Sequence, residues 1–329
     1  MEGVGVMKHA WKGLILVMPL LLAFTLPAYA GNVTETISSI SKQTATVSAV
    51  NTVTSITARS SMMLGFGSFK GLSSGNGDNG IGLWAMGNAY WLDKSGSNPY
   101  DGDMYMVTAG IDKQIDDDLL IGLSIGGEWT DLGLTAGGKY KSNGFTVAPY
   151  ASYMVRDDVM VDFSVGYSTL SNDLKVWDID DNVFRDADYN SWRLFTAGGV
   201  SKSWESDAWR FSSRLGALYL HQSGKAFDLR SPSNLNGVKT EEGSNYDLFQ
   251  LQLGGRVGYD FGNVTPFVGV TYFQDIAKTG SSSDMVGADF DLGLNWKPNS
   301  TTTVGLTGTY GIRENFDKYG GMLSIRFDF

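Results

Sequence analysis

Residues 158–168, DVMVDFSVGYS, place Val159, Val161, Phe163, Val165 and Tyr167 on one face of an extended chain and Asp162, Ser164, Gly166 and Ser168 on the other. Successive side chains of a strand point to opposite faces, so this stretch reads as a strand with one apolar side. The pattern recurs. Phe249, Leu251, Leu253, Val257 and Tyr259 separate from Gln250, Gln252, Arg256 and Asp260, and Ala288, Phe290, Leu292, Leu294 and Trp296 separate from Asp289, Asp291, Asn295 and Lys297. Applied to the whole chain, the same rule predicts twelve strands, at about 83–92, 103–115, 118–130, 142–155, 159–170, 189–202, 208–222, 245–260, 264–275, 284–297, 301–312 and 319–329.

The connections between these segments decide the architecture. Five are turn-like, at 116–117, 156–158, 203–207, 262–263 and 298–300, and six are longer, at 93–102, 131–141, 171–188, 223–244, 276–283 and 313–318. Short and long alternate strictly. A β-sandwich also alternates apolar and polar residues, but nothing in a sandwich requires connection lengths to alternate in sequence. A transmembrane barrel does, with tight turns on one side of the membrane and longer loops on the other, and strands of roughly ten residues suffice to cross it when tilted. Aromatics near strand ends, including Trp129, Tyr153, Trp192, Trp209, Tyr259, Tyr272, Trp296 and Tyr310, suit the two interfacial girdles of such a barrel. The fold class is therefore all-β, a 12-stranded antiparallel transmembrane β-barrel spanning residues 83–329.

Composition removes whole classes of chemistry. The 329 residues contain no Cys and two His, His9 and His221, so thiol nucleophiles, disulfide frameworks and Cys- or polyhistidine-ligated zinc are excluded. The formal net charge of -10 argues against a nucleic-acid partner. Residues 1–30 read as a signal peptide: Lys8 and Lys12 precede an apolar run, Leu14–Leu26, and Ala28-Tyr29-Ala30 form a small-residue cleavage site. The alternative is an uncleaved anchor, for which the run is short. Cleavage after Ala30 would remove two lysines, one glutamate and His9, leaving a still more acidic chain. An exported chain of this kind is expected in the bacterial outer membrane.

The last strand, YGGMLSIRFDF, directs Leu323, Ile325, Phe327 and Phe329 outward and Met322, Ser324, Arg326 and Asp328 inward. A chain ending in Phe behind alternate apolar residues is similar to the assembly signal read by the barrel-assembly machinery. Together with GLWAMGNAYW at 82–91, VTAGIDKQIDDDLLIGLSIGG at 107–127, VAPYASYMV at 147–155 and VTPFVGVTY at 264–272, it gives residues 80–329 a resemblance to the autotransporter β-domain, the translocator module of type V secretion. The resemblance implies a twelve-stranded barrel with an N-terminal helix through its lumen. It also implies a function in protein transport. One departure stands out: autotransporters carry a long passenger ahead of the barrel, whereas about fifty residues separate Ala30 from the first strand here.

Those residues divide in two. Within the Ser/Thr-rich segment 31–70, Val33, Ile37, Ile40, Thr44, Val47 and Asn51 follow the 3 and 4 spacing of a helix, and about thirty helical residues would run ~45 Å, enough to span the barrel. TATVSAV also alternates as a strand would, so both readings stand. Residues 71–82 read as a Gly/Ser/Asn linker without the features of a phosphate-binding loop.

Candidate functional residues are the inward charges: Arg210, Arg214, Arg256, Arg326, Asp162, Asp289 and Asp291. Their default role is mutual pairing, and a selective pore is the sharper reading. DIDDNVFRDADY at 178–189 lacks the Gly and Glu of a calcium loop, and no enzyme signature surrounds His221. The chain is expected to be neither an enzyme nor a metal or cofactor binder. The leading function is an autotransporter-type translocator without a sizeable passenger; the alternatives are a passive porin-like channel and a surface-loop adhesin or structural protein. Expected partners are Sec export, periplasmic chaperones, the barrel-assembly machinery, and outer-membrane lipid with lipopolysaccharide, around a monomer.

Overall fold

The computed structural model describes residues 33–64, 81–231, 237–243, 245–279 and 285–328. The signal peptide with Ala28 and Ala30, residues 31–32 and 65–70 of the Ser/Thr-rich segment, linker residues 71–80 and Phe329 lie outside the described residues, and Ile81 and Gly82 belong to the first strand. A helix, α1 (Val33–Ser61), ends in one 3-10 turn at Met62–Leu64. Fourteen strands follow: β1 (Ile81–Lys94), β2 (Tyr100–Gln114), β3 (Leu119–Leu134), β4 (Lys139–Arg156), β5 (Val159–Asp178), β6 (Val183–Ser206), β7 (Trp209–Gly224), β8 (Phe227–Arg230), β9 (Val238–Glu241), β10 (Tyr246–Tyr259), β11 (Val264–Lys278), β12 (Val286–Trp296), β13 (Thr302–Arg313) and β14 (Phe316–Asp328).

Twelve of these form the barrel wall. Each wall strand pairs antiparallel with its neighbour in the chain, β7 passing directly to β10, and β1 pairs with β14 along Gly82–Lys94 to close the cylinder. Closure leaves no strand edge in the lipid, where an unpaired backbone group would cost several kcal/mol. The short β8–β9 hairpin sits outside the wall, attached to β6 where Asp186 faces Arg230.

The outward face carries the apolar residues picked out by alternation. Val107, Ile111, Leu123, Phe163, Leu215, Leu253, Leu292, Leu306 and Leu323 are all exposed. A soluble monomer rarely shows a continuous apolar patch beyond a few hundred Å². A band of this size around the whole wall needs lipid as its solvent. Aromatics mark both borders of the band: Trp209 meets Tyr259 edge-on at 5.0 Å near the turns, and Tyr310 stacks on Tyr319 at 5.0 Å near the other end.

The connections differ from the expected pattern. The turns at 115–118, 157–158, 207–208, 260–263 and 297–301 are short as expected, but the long connections at 131–141, 171–188 and 313–318 are largely strand. β5 runs 20 residues and β6 24, against 11 for β12, and only 179–182 joins them. The physical reason is a change of solvent. Beyond Tyr167 the alternation of β5 inverts: Leu170, Leu174 and Val176 point inward and are buried, while Thr169, Ser171, Asp173 and Lys175 are exposed. Leu132, Leu134, Tyr140, Ala187 and Leu229 join Leu174 and Val176 in one apolar cluster. Above the lipid the wall is a water-soluble barrel with its apolar side inside. A search for apolar-outward strands stops at that border. The tip is held by Arg185, whose Nε donates to Asp178 at 2.7 Å and whose Nη2 donates to Asp181. Burial works against the Asp178 carboxylate, but Arg185 and Lys239 beside it hold its pKa below the ordinary range.

Inward rings lie flat because glycine faces them on the next strand. Gly166 sits opposite Phe195, and a Cβ there would come within 2.0 Å of the ring; Gly110 stands in the same relation to Trp84, at 2.5 Å. The Gly166→Val variant should therefore push Phe195 toward the helix and cost about 1–3 kcal/mol. A lower midpoint for the heat-induced gel shift of the folded barrel checks this, and adding Phe195→Ala should recover part of the loss.

Candidate functional site in the barrel lumen

The lumen is where polar chemistry collects, because the lipid side excludes it. α1 occupies it along its length: at a 1.5 Å rise, 29 residues extend about 43 Å. The helix reading of this segment holds and the strand reading does not, and residues 65–70 of the segment lie outside the described residues. The stripe Val33, Ile37, Ile40, Thr44, Val47 and Asn51 is buried, but so is every residue from Thr44 to Val53. A helix buried through most of its turns, with Thr54 among its few exposed positions, has little solvent face, which is why its sequence carries only a faint amphipathic stripe. Ser and Thr are tolerated there because they find partners: Thr44 and Thr46 donate their hydroxyls to the carbonyls of Ile40 and Lys42, each at 2.8 Å.

Three polar anchors fix the helix to the β2–β7 side. At the end near the tight turns, the Arg59 Nε donates to Asp112 Oδ2 at 2.6 Å and its Nη2 to Oδ1, with both side chains buried. Tyr150 donates to the same carboxylate at 2.7 Å, Trp84 Nε1 donates to Tyr150 at 2.7 Å, and Ser152 donates to Ser60 at 2.6 Å. Midway, Ser48 donates to Glu128, which also accepts from Arg193 at 3.1 Å; Arg193 donates on to Gln222 at 3.0 Å, and Gln222 to Ser41 at 2.6 Å. Asn51 accepts from Tyr90 at 2.8 Å. Near the loop end, Thr36 donates to Asn98 at 3.1 Å, and Val33, Ile37 and Ile40 enter the apolar cluster above the lipid.

All seven inward charges named from the sequence lie on the lumen face. Arg214 reaches across β6 to Asp162, with Nη2 2.8 Å from Oδ1, and Arg210 pairs with Asp260 at 2.9 Å and Glu205 at 2.6 Å. Asp289 accepts from Lys318 at 2.8 Å, and Asp291 accepts from Thr309 at 2.7 Å, with Arg256 4.0 Å away. Arg326 is buried on β14 opposite Trp84. Arg214–Asp162 and Arg256–Asp291 pair within the set, whereas Arg210 and Asp289 pair with other wall residues, and the helix anchors named above are not among the seven. Arg59, Asp112, Glu128 and Arg193 were missed, although the inward parity of Asp112 between Ile111 and Lys113, and of Glu128 beside Trp129, was readable. Leu323, Ile325 and Phe327 face outward on β14. His221 faces outward too, its Nδ1 2.8 Å from Asp247 and its ring 5.1 Å from Trp192, beside the outer girdle and away from the lumen.

A family model described as the Autotransporter beta-domain matches residues 83–322. Among solved structures the chain is similar to the translocator domain of autotransporter NalP from Neisseria meningitidis, at TM-score 0.67 and 11% identity over 87% of this chain and 100% of that one. It is also similar to the beta domain of the Bordetella autotransporter BrkA, at TM-score 0.63 and 16% identity over 76% and 100%. At such identities the likeness shows the fold alone. A putative uncharacterized protein, YaiT, of Escherichia coli K12 is 26% identical over 271 residues, which are 74% of this chain and 25% of that protein. The chain spans about a quarter of that relative's length.

Breaking one member of a buried ion pair costs about 3–5 kcal/mol, because the other is left charged without a partner. Arg59→Ala should therefore loosen the helix and expose residues 33–64 to protease in detergent, whereas Arg59→Met combined with Asp112→Leu should restore most of the protection.

Proposed function

This chain belongs to the Autotransporter beta-domain family of the outer membrane, and from that premise we propose that it is a translocator-type barrel without a sizeable passenger, which carries its own N-terminal segment into its lumen. The observation that carries this reading is the polarity of α1. Its last turn, with Arg59 and Ser60, lies beside Asp112 and Ser152 near the tight turns, while Val33 and Thr36 lie beside Asn98 at the loop end. In a bacterial barrel the tight turns face the periplasm and the longer connections face outward. The chain therefore runs through the lumen from outside to inside before entering β1, and α1 is the trailing end of the segment that has crossed.

In this reading residues 1–30 are the Sec signal, cut after Ala30, residues 31–70 the lumen segment, and 71–82 the linker. The series Leu323, Ile325, Phe327 and Phe329 is the signal read by the barrel-assembly machinery after periplasmic chaperones have carried the chain. Asp162, Asp289, Asp291, Arg210, Arg214, Arg256 and Arg326 line the lumen as a paired, hydrated wall. They carry no catalysis and hold no cofactor. The protein acts as a monomer among outer-membrane lipid and lipopolysaccharide.

Deleting residues 34–63 should convert a poorly conducting barrel into an openly conducting one in planar bilayers; equal conductance of the two proteins would remove the lumen helix from the account. Deleting Phe329 should lower outer-membrane insertion without lowering export into the periplasm, and unchanged insertion would show that Phe329 is not a dominant signal.

A further inference from the structure

α1 does not sit at the centre of the lumen. Its charged anchors reach the β2–β7 side, with Tyr90 of β1 and Tyr246 of β10 touching Asn51 and Thr46 at its flanks, and a helix about 10 Å wide cannot fill a twelve-stranded lumen from one side. The opposite wall, β10–β14, offers little to fill the gap: Gly254, Gly269, Thr307, Thr309 and Ser324 face inward there. What remains is a chain of three cavities along the free side of the helix. The cavity nearest the periplasmic turns measures about 180 Å³ and is bounded by Val50, Ala58, Arg256 and Ser324. The vestibule at the outer end measures about 590 Å³ and is bounded by Glu35, Lys42, Lys278 and Arg313. Between them lies a small neck of about 30 Å³. The neck shares Val50, Phe273, Asp289 and Lys318 with the inner cavity and Thr46 and Arg313 with the vestibule.

The charge along this path is opposite to that of the chain. The outer vestibule carries Lys42, Lys94, Lys278 and Arg313 against Glu35 and Asp275. The neck carries Arg313 and Lys318 against Asp289, and the inner cavity adds Arg214 and Arg256 against Asp291. Among the described residues seven basic groups line the path against four acidic ones, and discounting Arg214, which Asp162 neutralises, still leaves an excess of positive charge. Low-dielectric walls focus such an excess and raise the local concentration of anions.

We infer that the barrel conducts small inorganic anions past the docked helix, through the neck between Val50, Arg313 and Lys318. The path differs from that of a translocated chain, since it needs α1 in place as one of its walls. The neck is the smallest of the three cavities, so its lining residues are the ones a passing ion meets most closely.

The test uses the full chain with the helix fixed. Ser60 and Ser152 bring their hydroxyl oxygens to 2.6 Å on the anchored side, away from the path, and the native chain has no cysteine, so Ser60→Cys with Ser152→Cys should lock α1 by a disulfide. In planar bilayers under a potassium chloride gradient, the locked protein should carry a small current with a reversal potential on the chloride side. Arg313→Gln and Lys318→Gln, each made in the locked protein, should lower the chloride-to-potassium permeability ratio about twofold or more. Val50→Trp should abolish the current. A current that vanishes on oxidation and returns on reduction would mean that ions pass only when the helix leaves. That result, potassium preference, or neck variants without effect on selectivity would each overturn the inference. None of these outcomes decides whether the barrel translocates, which the helix deletion tests separately.

Discussion

A strand that faces lipid on one side must hand every polar side chain to the other. Twelve such strands closed into a cylinder gather the polar residues of the wall around one axis, and that interior has to be satisfied by water, by mutual pairing, or by an inserted element. Pairing and insertion both occur here, and the cavities leave room beside them. Arg214 pairs with Asp162 and Lys318 with Asp289 within the wall; α1 satisfies Asp112 and takes part in the Glu128–Arg193 network on one side; and the cavities along β10–β14 remain on the other. The unusual sequence of α1 follows from the same constraint. The wall mixes polar groups with inward apolar side chains such as Trp84, Phe195 and Leu218, so valine and isoleucine pack there while threonine, serine and alanine at close spacing replace the leucines of a core helix.

The anchors also set an order of events. Arg59 and Asp112 are both buried inside a wall whose seam is the β1–β14 pairing. Such a pair cannot form by lateral docking once that seam is shut. Either α1 is present while β14 meets β1, or it threads a closed cylinder end-on. In both cases the bidentate geometry of Arg59 with Asp112, supported by Tyr150 and Trp84, specifies where the helix stops along the axis. Charge-assisted, two-point contacts serve registry in this way better than apolar packing, which tolerates sliding.

Much of this was legible because a membrane enforces parity. Val161 and Phe163 out with Asp162 and Ser164 in is a statement about two solvents, and it placed the seven inward charges on the lumen face without reference to any neighbour. Three things were not legible. The inner partner of each charge depends on strand tilt and stagger, so nothing local links Arg59 to Asp112 or Arg193 to Glu128. The helix was ambiguous because its environment surrounds it. The wall above the lipid was read as loops at 131–141 and 171–188 because Leu170, Leu174 and Val176 turn inward just where the outer solvent becomes water.

That inversion gives the molecule height. From Tyr167 at the girdle to Asp178 at the hairpin tip, β5 continues for about eleven residues, roughly 36 Å along the strand and about 25 Å vertically at the tilt usual for such barrels. The β5–β6 hairpin is thus a stiff mast with its own apolar core, stayed at the top by Arg185 between Asp178 and Asp181. Its acidic cap stands well clear of the lipid headgroups. An antibody or a phage approaching the cell would meet residues 179–182 before it met the pore, so selection from outside acts first on the part of the wall farthest from the transport path.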